Sequence, residues 1–142
     1  SGGAFLACNS KVADQIIQTC GAFRYTTALA PTLAAGALKS LEKIKTNKTW
    51  GKDLIRASKE WKDEISKLNK YAIKGDCQIL SIIIGDEDQT MLMQKYLEEQ
   101  GFLAIGIRPP TVPYGQSRIR ITIRRTLNKK ILKEFILALK NF

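Results

Sequence analysis

Leu103–Arg124 is the stretch that most limits how this chain can fold. Leu103 to Ile107 is a short apolar run, and Arg118 to Arg124 alternates polar and apolar residues. Both patterns predict strands, the second half-buried. The connection between them is too long for a tight hairpin and carries Pro109, Pro110 and Pro113. Each proline fixes its own φ and drives the residue before it toward extended backbone. Pro113-Tyr114-Gly115 reads as a turn. A long ordered connection of this kind is often functional.

This geometry singles out candidate binding residues. Thr111 is held in a stiff loop, with a hydroxyl that can donate and accept. On the following strand Arg118, Arg120, Thr122 and Arg124 share one face, and Ile119, Ile121 and Ile123 share the other. The isoleucines anchor the strand on a core. The guanidiniums face water or a cleft, where their planar fork suits a carboxylate or phosphate. An ordinary solvated strand face is the competing reading.

The rest of the chain supplies strands and helices around this centre. Cys77–Ile84 is a β-branched run and predicts a central strand. Gly85-Asp86-Glu87-Asp88 reads as a turn and helix cap rather than a metal loop, since acidic residues favour a helix N-terminus. That helix runs to Gln100, with Gly101 as its left-handed stop. Thr126 or Asn128 caps a last helix whose inner face carries Ile131, Leu132, Phe135, Ile136 and Leu139. From Cys77 onward the expected order is β-α-β-loop-β-α. The fold class is α/β: a small α+β domain with an antiparallel or mixed sheet covered by helices.

Upstream, Ser1–Cys8 is small, glycine-led and apolar, and predicts a buried strand. Asn9 or Ser10 caps a helix through Cys20 that Gly21 stops. Phe23–Pro31 is expected to be extended, with Thr32 capping the helix over Leu33–Ile44. Trp50 to about Tyr71 predicts a longer helix in which Trp50 and Trp61 are packing residues. A boundary near residue 45 separates 1–44 from 45–142.

Composition excludes several functions. With no histidine in 142 residues, Ser-His-Asp and Cys-His catalysis and the usual zinc sites are ruled out within this chain. Cys8, Cys20 and Cys77 are scattered, odd in number and without a Cys-x-x-Cys spacing, so they read as free, mostly buried thiols of a reducing compartment. No metal site is expected. The formal charge of +10 invites a nucleic-acid partner. However, the lysines of residues 39–74 are interspersed with Glu42, Asp53, Glu60, Asp63 and Glu64, and no basic-aromatic motif accompanies them. Neither nucleic acid nor membrane is expected as a partner: no apolar run is long enough to span a bilayer, and no secretory signal pattern opens the sequence.

Arg108-Pro-Pro-Thr-Val-Pro-x-Gly-x-x-Arg118-Ile-Arg120 resembles the C-terminal signature of the α-oxoamine synthases. These are fold-type-I, pyridoxal-phosphate (PLP) acyltransferases that join an amino acid to an acyl thioester with loss of CO₂. The Pro-Pro-Thr-Val-Pro form is most similar to the biotin-pathway member. The resemblance implies the tail of a large PLP-binding domain over 1–44 and the C-terminal small domain over 45–142. It implies Arg120 on the substrate carboxylate, Thr111 on substrate, and Thr26 and Thr27 near the cofactor phosphate of the partner subunit, a plain polar loop before a helix being the competing reading of those two. It places the catalytic lysine just before Ser1, so that no lysine here, Lys11 included, inherits that role and this chain alone is inactive. It also implies L-alanine and pimeloyl-CoA or a pimeloyl-carrier protein as substrates, a homodimer, and a cytoplasmic location. Two other readings remain open: a family member acting on glycine or serine, or a regulatory module in which Arg118 and Arg120 hold an anionic effector.

Overall fold

A computed structural model describes residues 2–142. They divide into two compact units, 2–48 and Thr49–Phe142.

The first unit is helical: α1 (Ser10–Thr19), α2 (Gly21–Arg24) and α3 (Pro31–Thr46). Asn9 caps α1, its side chain accepting from the Val12 amide at 3.0 Å. The strand expected over the first eight residues is not formed in the described part: Gly2–Cys8 carries no regular structure and is exposed. A strand needs a neighbour for its backbone groups, and none pairs with it among the described residues. Gly21 does not end helical structure but opens α2, so the extended reading of Phe23 and Arg24 is also corrected. Helix α3 starts earlier than expected. Ala30 is its cap and Pro31 its first residue, because the fixed φ of proline suits the first turn. Thr32 is therefore inside the helix. No described residue of this unit is buried, and Leu33, Leu41 and Ile44, the expected inner stripe of α3, are exposed.

The second unit contains α4 (Trp50–Ser66), β1 (Ala72–Lys74), β2 (Ile79–Gly85), α5 (Glu87–Glu99), β3 (Ile105–Ile107), β4 (Ser117–Thr122) and α6 (Lys129–Asn141). The sheet order is β1-β2-β4-β3, and every pair is antiparallel. One face carries Leu80, Ile82, Ile119 and Ile121, all buried. They join Trp61 and Ile65 of α4, Met93 and Leu97 of α5, and Leu132, Phe135 and Leu139 of α6 in a single core. Phe135 is its centre: its ring lies 5.4 Å from Trp61 and 5.1 Å, edge-on, from Phe102.

Two local features depart from expectation. Helix α4 ends at Ser66 rather than near Tyr71. Asn69 sits in the left-handed region, φ 51°, which asparagine tolerates, and the chain turns into β1. That three-residue edge strand is too short to register as a pattern. The caps behave as predicted: Asp86 accepts from the Gln89 amide at 2.8 Å, Asn128 from the Ile131 amide at 3.0 Å, and Gly101 has φ +85°. The cysteines are free, yet Cys8 and Cys77 are exposed and Cys20 half-exposed. The first two lie in segments without regular structure, and Cys20 lies in a unit with no buried position.

Candidate substrate-binding site

The β3–β4 connection is built from two turns. In the first, the Thr111 amide donates to the Arg108 carbonyl at 3.1 Å, and the Pro109–Pro110 peptide is cis. In the second, the Gln116 amide donates to the Pro113 carbonyl at 3.1 Å. Gly115 takes φ +73° there, the third-position requirement of a type II turn. Thr111 is exposed, and its hydroxyl has no hydrogen-bond partner among the described residues.

Strand β4 alternates as predicted: Ser117, Ile119 and Ile121 are buried, Arg118 is half-buried, and Arg120 and Thr122 are exposed. The two arginines are not equivalent. Arg118, opposite Ile83 on β2 and Ile107 on β3, turns back on Gln116. Its Nε donates to the Gln116 carbonyl at 2.9 Å and its Nη2 to the Gln116 Oε1 at 3.2 Å. Arg120, opposite Ser81 and Ile105, makes no hydrogen bond or ion pair among the described residues. Arg124, beyond the strand end, is likewise unengaged among the described residues, so Arg120 is the open guanidinium within β4 itself. Arg120, Thr122 and Arg124 line a cleft of about 580 Å³ together with Ile121, Ile123 and Phe135 from the core side; Thr111 is not among its lining residues.

Strand β3 is held against α5 by a close approach. The Gly106 amide donates to Gln94 Oε1 at 2.7 Å, and a Cβ on Gly106 would lie 3.0–3.3 Å from Gln94, Met91 and Thr90 atoms. The glycine thus seats the strand that leads into the loop. Neither this contact nor the Gln116–Arg118 pair was evident from sequence. An amide side chain two residues before a strand arginine is too common a pattern to mark a partner.

Thr26 and Thr27 belong to the first unit, Thr111 and Arg120 to the second. Thr26 and Thr27 lie between α2 and α3, are exposed, and have no hydrogen-bond partners for their hydroxyls among the described residues. Nearby, the Arg24 guanidinium sits 5.6 Å from the Tyr25 ring centre. Unengaged hydroxyl donors are of the kind that suit phosphate oxygens.

Away from the loop, the Lys62 ammonium donates to Asp76 at 2.8 Å and to the Gly75 carbonyl at 2.9 Å. The hydrogen bond first, and the charge second, hold the Asp76 carboxyl below its ordinary range. Among the described residues no three His, Cys, Asp or Glu side chains are grouped to hold a metal ion, and no helix is long and apolar enough to cross a membrane.

Known proteins resemble this chain in sequence and in fold. An 8-amino-7-oxononanoate synthase of Pseudomonas putida is 34% identical over 122 residues, 85% of this chain and 31% of that protein. The enzyme of the same name from Pseudomonas savastanoi is 30% identical over 138 residues, 97% of this chain and 35% of that protein. The chain therefore spans about a third of the length of these relatives. Among solved structures, a serine palmitoyltransferase with PLP superposes with a TM-score of 0.78 at 19% identity, over 94% of this chain and 34% of that one. The 8-amino-7-oxononanoate synthase of Francisella tularensis superposes with 0.64 at 18% identity, over 94% and 39%. The expected fold, that of a part of a fold-type-I PLP enzyme, is thereby shown. The sequence profile of aminotransferase class I and II matches residues 1–139, and the chain belongs to that family.

Proposed function

We propose that these residues are the C-terminal part of a PLP-dependent α-oxoamine synthase that condenses L-alanine with a pimeloyl thioester to give 8-amino-7-oxononanoate, CO₂ and the free thiol. Residues 1–44 are read as the tail of the large domain and 45–142 as the small domain of a cytoplasmic homodimer, with the catalytic lysine outside this chain. The observation that carries the reading is Arg120: an uncommitted guanidinium on the interior strand that follows the proline-stiffened loop, in a chain of this family.

PLP, when bound, supplies an electron sink for negative charge at the amino-acid α-carbon. The residues of this chain hold and orient. Arg120 binds the alanine carboxylate through its fork of donors, which fixes the α-carbon relative to the acyl carbonyl before the C–C bond forms. The Thr111 hydroxyl adds a neutral donor from the loop. Thr26 and Thr27 donate to the cofactor phosphate of the partner subunit. Arg118 already spends two of its five donors on Gln116 and is read as a loop contact instead of a carboxylate ligand.

The test uses the intact protein with L-alanine and pimeloyl-CoA or a pimeloyl-carrier protein, following thiol release. Truncating one partner of a desolvated arginine–carboxylate pair costs about 2 kcal/mol or more, so Arg120→Ala raises the KM for alanine about 30-fold or more. An unchanged alanine KM in that variant overturns the role of Arg120. Wild-type protein that releases no thiol with either donor overturns the substrate assignment.

A further inference from the structure

Resting on the reading above, we infer that Arg118 is a positioning residue: its guanidinium clamps Gln116 and so holds the loop that carries Thr111, without meeting the substrate itself. Three observations lead to this. The guanidinium spends two of its donors on a single residue, at 2.9 Å to the carbonyl and 3.2 Å to the side-chain amide oxygen. That residue closes the second loop turn, since its own amide donates to the Pro113 carbonyl. Finally, Arg118 is fixed at its base: it is half-buried on β4 and hydrogen-bonded in register with both neighbouring strands, opposite Ile83 and Ile107.

The clamp is thus a planar fork on a paired strand gripping the residue that closes the second of the loop's two turns. Pro109, Pro110 and Pro113 stiffen the loop from within, but they have no amide hydrogen to anchor it. Anchoring falls to the Thr111 and Gln116 amides and to Arg118. Because an ammonium is a single point and cannot reproduce the fork, lysine is a poor replacement.

Amide hydrogen exchange in the intact protein tests this directly. In Arg118→Met, exchange at Gln116 and Thr111 rises about tenfold, the scale of losing a charged hydrogen bond near the surface. Arg118→Lys gives a smaller rise, and Gln116→Ala, which removes only the side-chain acceptor, a smaller one again. Exchange at Ile82, in the core strand, stays unchanged, which separates a local clamp from general destabilisation. In turnover, Arg118→Met lowers kcat more than it raises the KM for alanine, the reverse of Arg120→Ala. Unchanged loop exchange in Arg118→Met, or a KM rise matching that of Arg120→Ala, overturns the inference. If Arg118→Met fails to fold, Arg118→Lys and Gln116→Ala decide on the same amides. The exchange result needs no substrate, so it stands or falls separately from the choice of alanine and pimeloyl thioester.

Discussion

Gly75 offers a prediction whose size follows from the structure. It closes the turn between β1 and β2 with φ +119°, a region L side chains rarely adopt. A Cβ built there would lie 2.4 Å from the Ile79 carbonyl oxygen and 3.3 Å from the Leu80 Cα. Both are backbone atoms of β2, pinned by pairing with Thr122 and Ile121 of β4, so neither can move aside cheaply. The left-handed conformation costs about 1–2 kcal/mol, and forced crowding adds about 1–3 kcal/mol. Gly75→Ala is therefore expected to lose about 3 kcal/mol of stability. Gly101 is the matched control: its φ is +85°, but nothing lies within 4 Å of its Cβ position. Gly101→Ala should show the conformational cost alone, about 1 kcal/mol. Urea unfolding followed by tryptophan fluorescence reads the right part of the molecule, since Trp50 and Trp61 both lie in the second unit. Equal midpoints for the two variants would show that β2 yields to the added methyl, and the crowding argument would be wrong.

Two more predictions test the supports around the site. The Asp76 carboxyl is depressed by Lys62, so the pair contributes above the ordinary carboxylate pKa of 3.8 and is lost as pH falls through the lower folded value. Lys62→Met should lower stability at neutral pH and remove the extra loss that the wild type shows as pH falls through that value, so the two curves draw closer in acid; a wild-type acid limb in the variant refutes the pairing. Phe135→Ala removes a ring that contacts both Trp61 and Phe102 and should cost about 3–5 kcal/mol, measured as a shift in the denaturation midpoint.

Much of the second unit was legible because its signals are local. The alternation over Arg118–Ile123, the Asp86 and Asn128 caps and the Gly101 stop each depend on a few neighbouring residues, and each appears as read. The failures are of another kind. Whether Gly2–Cys8 forms a strand depends on a partner lying far away in sequence, and β1 is three residues long. Burial of Cys8 and Cys20 was inferred from residue type, whereas burial belongs to the surroundings. At the site, the alternation put Arg118 and Arg120 on one face but could not rank them. What separates them is the engagement of one guanidinium by Gln116, a matter of rotamers and loop path that no periodicity records.

Strand β4 lies between β2 and β3, so the backbone at Arg118–Arg120 is laddered on both sides. Its main chain cannot translate without breaking two sets of hydrogen bonds at once, which leaves Arg120 only its own side-chain torsions. The proline loop has no such flanking ladder. On the function proposed above, the carboxylate would be met by a cation on a fixed backbone, and side-chain torsions of Arg120 would supply the adjustment to ligands of different size.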